Sequence, residues 1–283
     1  MTIKIVTDSA ADLPPILTEE LGITVVPVYL RFGEQVYRDR VDISEEEFYQ
    51  RLLHGPVHPN TTQPSPQDFA SAYNKLSQEA DGIISIHITS KLSGTYNSAV
   101  QGKKMASSRC PIEVVDSQTL SIAVGLMTIQ ASKMVSSGMS LQQILDELSR
   151  IIPNVHLLIL FDTLKYLAKG GRIWKAKALM GSILNVKPLL TIIDGELAPS
   201  GQVRTRPKGI DRLLDFVKDA KEIQDLAILH STTPDEAQAL VERTSSVFPK
   251  EHTMIARLGP GLGVHGGPGV LAVALRGEIS SVA

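Results

Sequence analysis

Residues 82–106 read GIISIHITSKLSGTYNSAVQGKKMA, an apolar run, a turn rich in hydroxyls and glycine, and then a polar stretch. A short apolar run bounded by turn residues predicts a buried strand over Gly82–Ile88. Thr89–Gly94 predicts a turn into a helix that reaches about Ala106. The same alternation recurs on both sides, which predicts an α/β protein. Upstream, Ile3–Val6 reads as a strand, Leu13–Leu21 as a helix stopped by Gly22, and Thr24–Leu30 as a strand. Ser44-Glu45-Glu46-Glu47 is a capping box opening a helix to about Leu53. Residues 55–66 hold four prolines and predict an ordered loop. Ser65 then caps the next helix, with Pro66 at its first position and Asp68 three residues on. Downstream, Ile112–Val115 predicts a strand, followed by helices near 119–137 and, capped by Ser140, 141–151. This half is expected to be a mostly parallel sheet with flanking helices. Pro153-Asn154 marks the expected boundary between a domain over 1–153 and a second α/β domain over 154–283. Strands are expected there near 156–161, 188–193, 225–230, 252–257 and 270–275. Asp194-Gly195 suits a hairpin turn, so this second sheet is expected to be mixed.

A length of 283 residues agrees with two domains of ordinary size. Hydrophobic residues at 43% and charged residues at 20% exclude disorder as the main theme. A net charge of −2 lacks the basic excess of a nucleic-acid binder. Aromatics at 5% also argue against base-stacking platforms. The single cysteine, Cys110, excludes an internal disulfide and a cysteine-rich zinc site. No signal-peptide pattern opens the chain, and no apolar run approaches the ~20 residues that span a bilayer. A cytoplasmic protein with no stable membrane insertion is expected.

Several catalytic readings fail on the residues. Gly261-Leu262-Gly263-Val264-His265-Gly266 matches G-x-G-x-x-G, but only 17 residues follow it, too few for a dinucleotide fold. Neither a Walker A pattern nor a G-x-S-x-G elbow occurs. His54 and His58 have metal-pair spacing, but Gly55 and Pro56 break the helix it needs, leaving solvated loop histidines. Asp8, Asp12, Asp116 and Asp162 could meet at strand ends, though turn and cap duty accounts for them. No metal or other cofactor is expected.

What remains suits binding. Thr61-Thr62-Gln63-Pro64-Ser65 lies in the proline-rich loop, and Ser93-Gly94 follows the carboxyl end of a strand, where open α/β sheets bind ligands. A serine and a glycine at a helix start offer a hydroxyl and backbone N–H groups to an anion such as a carboxylate. In Gly259–Gly269, six of eleven residues are glycine, which is expected to hold His265 out on a short loop. Lys165, Lys169, Arg172, Lys175, Lys177 and Lys187, with Arg204, Arg206 and Lys208, concentrate positive charge on the second half, a footprint for an anionic partner. Gly201 and Pro207 mark Ser200–Lys208 as an exposed loop.

In this order the elements resemble the DegV family. The likeness runs from Val6-Thr7-Asp8-Ser9 with Asp12-Leu13-Pro14 through Val41-Asp42-Ile43, Thr61–Ser65, Ser90–Asn97 and Asp116-Ser117. It continues through Lys169-Gly170-Gly171-Arg172-Ile173, Val186-Lys187-Pro188 and Val203-Arg204-Thr205 to His265-Gly266-Gly267-Pro268-Gly269, covering essentially the whole chain. Thr62 stands in place of the commoner serine, and Val264 where the family often has alanine. The resemblance implies a two-domain DegV-like α/β protein with one long-chain fatty acid, such as palmitate, stearate or oleate, in a buried tunnel. It implies a non-enzymatic subunit of bacterial fatty acid kinase, whose catalytic subunit phosphorylates the presented carboxylate for phospholipid synthesis. Thr61, Thr62, Ser93, Gly94 and His265 would then meet the carboxylate. Arg172 and Arg204 would lie near the mouth or on the kinase-facing surface. The alternative is a lipid-acting hydrolase or acyltransferase using Ser93 and His265; a third is a binder of another small anion.

Overall fold

The computed structural model describes residues 2–173 and 186–279. In chain order these form β1 (Ile3–Asp8), α1 (Pro15–Glu20), β2 (Ile23–Val26), β3 (Tyr29–Phe32), β4 (Gln35–Arg38), α2 (Glu45–His54), β5 (Asn60–Thr62) and α3 (Pro66–Leu76). There follow β6 (Gly82–His87), α4 (Thr95–Met105), β7 (Ile112–Asp116), α5 (Ile122–Ser136), α6 (Leu141–Ile151), β8 (Val155–Leu160) and α7 (Lys165–Lys169). The chain continues as β9 (Lys187–Ile193), β10 (Glu196–Val203), α8 (Arg206–Asp219), β11 (Ala220–His230), α9 (Pro234–Thr244), β12 (Thr253–Arg257), α10 (Pro260–Gly266) and β13 (Leu271–Ile279).

The first large sheet has four strands in the order β2-β1-β6-β7, all parallel. The second has six in the order β10-β9-β8-β13-β11-β12, with β11 and β12 parallel and the other pairs antiparallel. Both sheets therefore have the strand directions that the sequence predicts, including the β9–β10 hairpin turning at Asp194-Gly195. Both turn residues carry positive φ, 51° and 78°, as such a turn demands.

Side-chain alternation gives the six-stranded sheet two different faces. Leu158 and Leu160 point to one core with Leu213, Val217 and Leu240 of α8 and α9. Leu157, Ile159 and Phe161 point the other way, into a core shared with Ile5, Ile84 and Ile86 of the parallel sheet. The helix α5 lies between the sheets and packs on β1, β6, β8, β11 and β13. It is buried on nearly all sides, as its apolar sequence requires. One continuous apolar cluster thus joins the two halves of the chain. No helix among the described residues is long and apolar enough to cross a membrane.

Four expectations are corrected. The strand expected over Thr24–Leu30 breaks at Pro27, whose missing N–H cannot continue the ladder. Its two parts, β2 and β3, enter different sheets, the latter a three-stranded sheet ordered β4-β3-β5. The proline-rich loop contains β5, paired antiparallel with β3. Ser200–Lys208 is not a loop: β10 runs to Val203 and α8 begins at Arg206, with Gly201 at a register shift and Pro207 in the first helical turn. Gly259–Gly269 contains the helix α10, with His265 in its last turn.

Candidate functional site

A cavity opens between the two large sheets. Leu157, Ile159 and Phe161 of β8 and the adjoining segment line it, with Leu229 of β11 and Ala272 of β13. Ile88 and Leu120 close it from the parallel sheet's carboxyl ends. Most of the wall is therefore apolar. Seven polar side chains also line it: Thr61, Gln63, Ser93, Thr95, Ser121, Arg172 and His265.

The local fold explains why these side chains converge. In β5, Thr61 sits opposite Leu30 and is half-buried, while Thr62 points to solvent, as strand alternation dictates. Ser93 lies in the turn after β6, just before Gly94, the N-cap of α4. Its Oγ is 2.8 Å from Thr95 Oγ1 and accepts the Thr95 N–H at 3.2 Å. A Cβ on Gly94 would approach Gln63 Nε2 to 2.8 Å, so glycine brings this turn close to the β5 segment.

His265 Nε2 is 2.8 Å from Thr61 Oγ1. Its Nδ1 is buried without a hydrogen-bond partner. It lies against Gly170, where a Cβ would come within 2.1 Å of it. The contact between Nε2 and the Thr61 hydroxyl is held by one proton, and Nδ1 is the ring atom left over. Burial, with the nearby charges of Arg172 and His58 second, holds His265 far below its ordinary value of 6.5, at about 4. The ring is neutral at physiological pH. Arg172 donates from Nη1 to Gly170 O at 2.7 Å and sets a cation at the cavity wall.

The two glycines of Lys169-Gly170-Gly171-Arg172 have separate causes. Gly170 yields its side-chain space to the imidazole, and Gly171 takes φ +71°. On the other side of the same contact, a Cβ on Gly267 would come within 2.2 Å of the Tyr166 ring. Helices α7 and α10 pack this closely only because both glycines lack Cβ.

The structure brings Thr61, Ser93, His265 and Arg172 to one cavity, with Gly94 beside Gln63. Thr62 and Arg204 are exposed and do not line it. Ser93 Oγ engages Thr95 and His265 Nε2 engages Thr61, rather than each other. Of the basic stretch, Lys165 and Lys169 are exposed, and Lys187 pairs with Asp162 at 2.7 Å. Arg206 is held by Glu236, and Lys175 and Lys177 lie outside the described residues.

His58 departs from the solvated role expected of it: its ring packs against Tyr166 and its Nε2 is buried. Asp116 accepts from backbone N–H groups in a turn, while Asp8 caps Ala10 N and also meets the buried His87 Nδ1 at 2.8 Å. Asp12 does more, receiving Ser121 Oγ at 2.5 Å, Gly259 N at 2.8 Å and Arg40 Nη2 at 3.4 Å. Among the described residues no cluster of three or more His, Cys, Asp or Glu is placed to hold a metal. Sequence reasoning missed Ser121 as a wall residue; Gln63 and Thr95 at least sit inside motifs it singled out.

The family model described as "Uncharacterised protein, DegV family" matches residues 2–278. A DegV domain-containing protein of Caldanaerobacter subterraneus is 36% identical over 275 residues, covering 96% of this chain and 97% of that one. Among solved structures, a DegV family protein from Thermus thermophilus described as binding fatty acid superposes with a TM-score of 0.90 at 35% identity. That match covers 98% of this chain and 100% of the other. A stearic acid-binding protein from Eubacterium ventriosum gives a TM-score of 0.88 at 28% identity, over 97% and 98% of the two chains.

Proposed function

The chain belongs to the DegV family, and on that premise we propose that it binds one long-chain fatty acid and presents the carboxylate to a kinase. In this reading Thr61, Ser93 and the Gly94 turn meet the carboxylate, His265 orients Thr61, and Arg172 supplies positive charge at the mouth. Residues 1–153 carry the carboxylate-binding hydroxyls, and residues 154–283 form much of the acyl wall. The protein is a cytoplasmic carrier rather than an enzyme. A fatty acid kinase subunit docks on the side of the exposed Arg204 and forms the acyl-phosphate for phospholipid synthesis.

One observation carries this: an apolar cavity in which every polar wall group but Ser121 gathers in one neutral cluster beside one cation, Arg172. A carboxylate leaving water needs such donors, which replace its lost hydration. Burying about 14 methylenes of a C16 chain is worth about 11 kcal/mol at ~0.8 each, much of it offset by lost freedom. Protein purified from bacterial cells is therefore expected to yield about one fatty acid per chain on organic extraction and mass analysis. Absence of stoichiometric fatty acid overturns the reading.

A further inference from the structure

Outside the carboxylate cluster, Ser121 is the one polar side chain on the described cavity wall. It is the N-cap of α5, a position where serine ordinarily accepts an N–H of its own helix. Here it makes no such bond. Its backbone sits at φ 58° and ψ −146°, a conformation that favours glycine. A serine that gives up its cap in a strained conformation breaks two local rules at once, and such outliers point towards function. Its Oγ instead lies 2.5 Å from Asp12 Oδ2, whose other oxygen receives Gly259 N at 2.8 Å and Arg40 Nη2 at 3.4 Å.

The wall thus carries an oxygen held by a buried carboxylate. A hydroxyl paired with a carboxyl group keeps capacity to accept a further hydrogen bond. Gly259, which shares Asp12 with Ser121, precedes His265 by six residues, about 9 Å along α10 at 1.5 Å per residue. Ser121 is thus anchored at the Gly259 end of α10, apart from the His265 end where the carboxylate cluster lies. Resting on the fatty-acid reading, we propose that the cavity accepts long-chain carboxylates bearing a mid-chain hydroxyl, which Ser121 recognises with Asp12 behind it.

The test compares wild type with Ser121→Gly, which removes the hydroxyl and suits the backbone. Dissociation constants are measured for stearic, 2-hydroxystearic, 10-hydroxystearic and 12-hydroxystearic acids on delipidated protein. Each hydroxy acid is expressed as a ratio to stearic acid in the same protein, which cancels general effects on folding. For at least one mid-chain isomer, the ratio is expected to worsen about tenfold in Ser121→Gly, the value of one hydrogen bond lost in a buried site. The ratio for 2-hydroxystearic acid should not move. If neither mid-chain ratio changes, or all three change alike, Ser121 does not read the chain and the proposal falls while the fatty-acid reading stands. If stearic acid itself fails to bind wild type, both fall.

Discussion

His265 engages Thr61 through Nε2 and has a buried, unpartnered Nδ1, and in the proposed function its ring aims the threonine hydroxyl. Thr61→Val combined with Ser93→Ala is expected to weaken fatty-acid affinity strongly while the fold persists. Each lost bond to a charged group costs about 1.5–3 kcal/mol, and a ligand titration of the double variant reads the sum. Unchanged affinity places the carboxylate elsewhere. The ring's own titration is a second test. With a folded pKa of about 4 against 6.5, His265 binds a proton more readily in the unfolded chain. Its contribution to stability is therefore full above pH 6.5 and lost as pH falls towards 4. Asp12 and Asp39 run the other way. Raised by burial from 3.8 to about 7 and about 6, they favour the fold most at low pH and lose that contribution as pH rises through those values. The NMR shift of the His265 ring should accordingly stay flat from about pH 8 to 5 in ligand-free protein; a midpoint near 6.5 shows that the ring is solvated. At this scale Thr61, Ser93 and His265 were legible because hydroxyls and a lone histidine stand out among glycine and proline. Thr62 was not separable from Thr61 until the strand's facing was known, and Ser121 carried no signal because backbone strain leaves no mark in composition.

The helix α10 shows where element-scale reading failed. Three glycines among its seven residues oppose helix formation on propensity alone. Tertiary contacts override this: Asp12 accepts Gly259 N and Asp39 accepts Gly261 N, so buried carboxylates satisfy donors at the helix start. The same glycines admit close neighbours, since a Cβ on Gly263 would reach Phe48 Cε1 at 2.6 Å. They are the cost of packing α10 tightly, not signs of a loop. Gly170→Ala tests the matching surface on the α7 side. Its Cβ must displace the imidazole, at about 1–3 kcal/mol for overpacking. Fatty-acid affinity is expected to fall more than stability does, because the Thr61 contact is lost with the ring's position. Equal binding in this variant, with a resonance pattern for His265 like that of wild type, contradicts the geometry. Elsewhere, long segments such as the apolar α5 and the amphipathic α6 were legible to within a few residues. The three residues of β5 were not, since so short a strand is defined by its partner β3 rather than by its own pattern.

Across the whole molecule, the order of strands and helices was readable because α/β alternation is written in apolar runs. How the two sheets face each other was not, because the cluster joining Ile5 and Ile86 to Leu157 and Ala272 depends on contacts remote in sequence. Arg204, exposed at the end of β10, tests the outward side of the proposed function. Arg204→Ala is expected to retain bound fatty acid and to lose acyl-phosphate formation when a compatible kinase and ATP are supplied. Loss of the lipid instead would assign this arginine to the carboxylate, and full phosphorylation would move the docking face. The shared cluster has one more consequence. Its apolar side chains line the cavity, so a bound acyl chain would occupy the place of missing interior side chains and the empty protein would be an under-filled one. Occupancy then adds stability in proportion to the logarithm of free ligand over its dissociation constant. Delipidated protein is expected to melt lower and be cleaved faster by protease than protein reloaded with stearate, and identical behaviour would refute the idea. In a cell, such a chain would be a gauge as well as a carrier: its lifetime would lengthen when fatty acid is plentiful and shorten when supply fails.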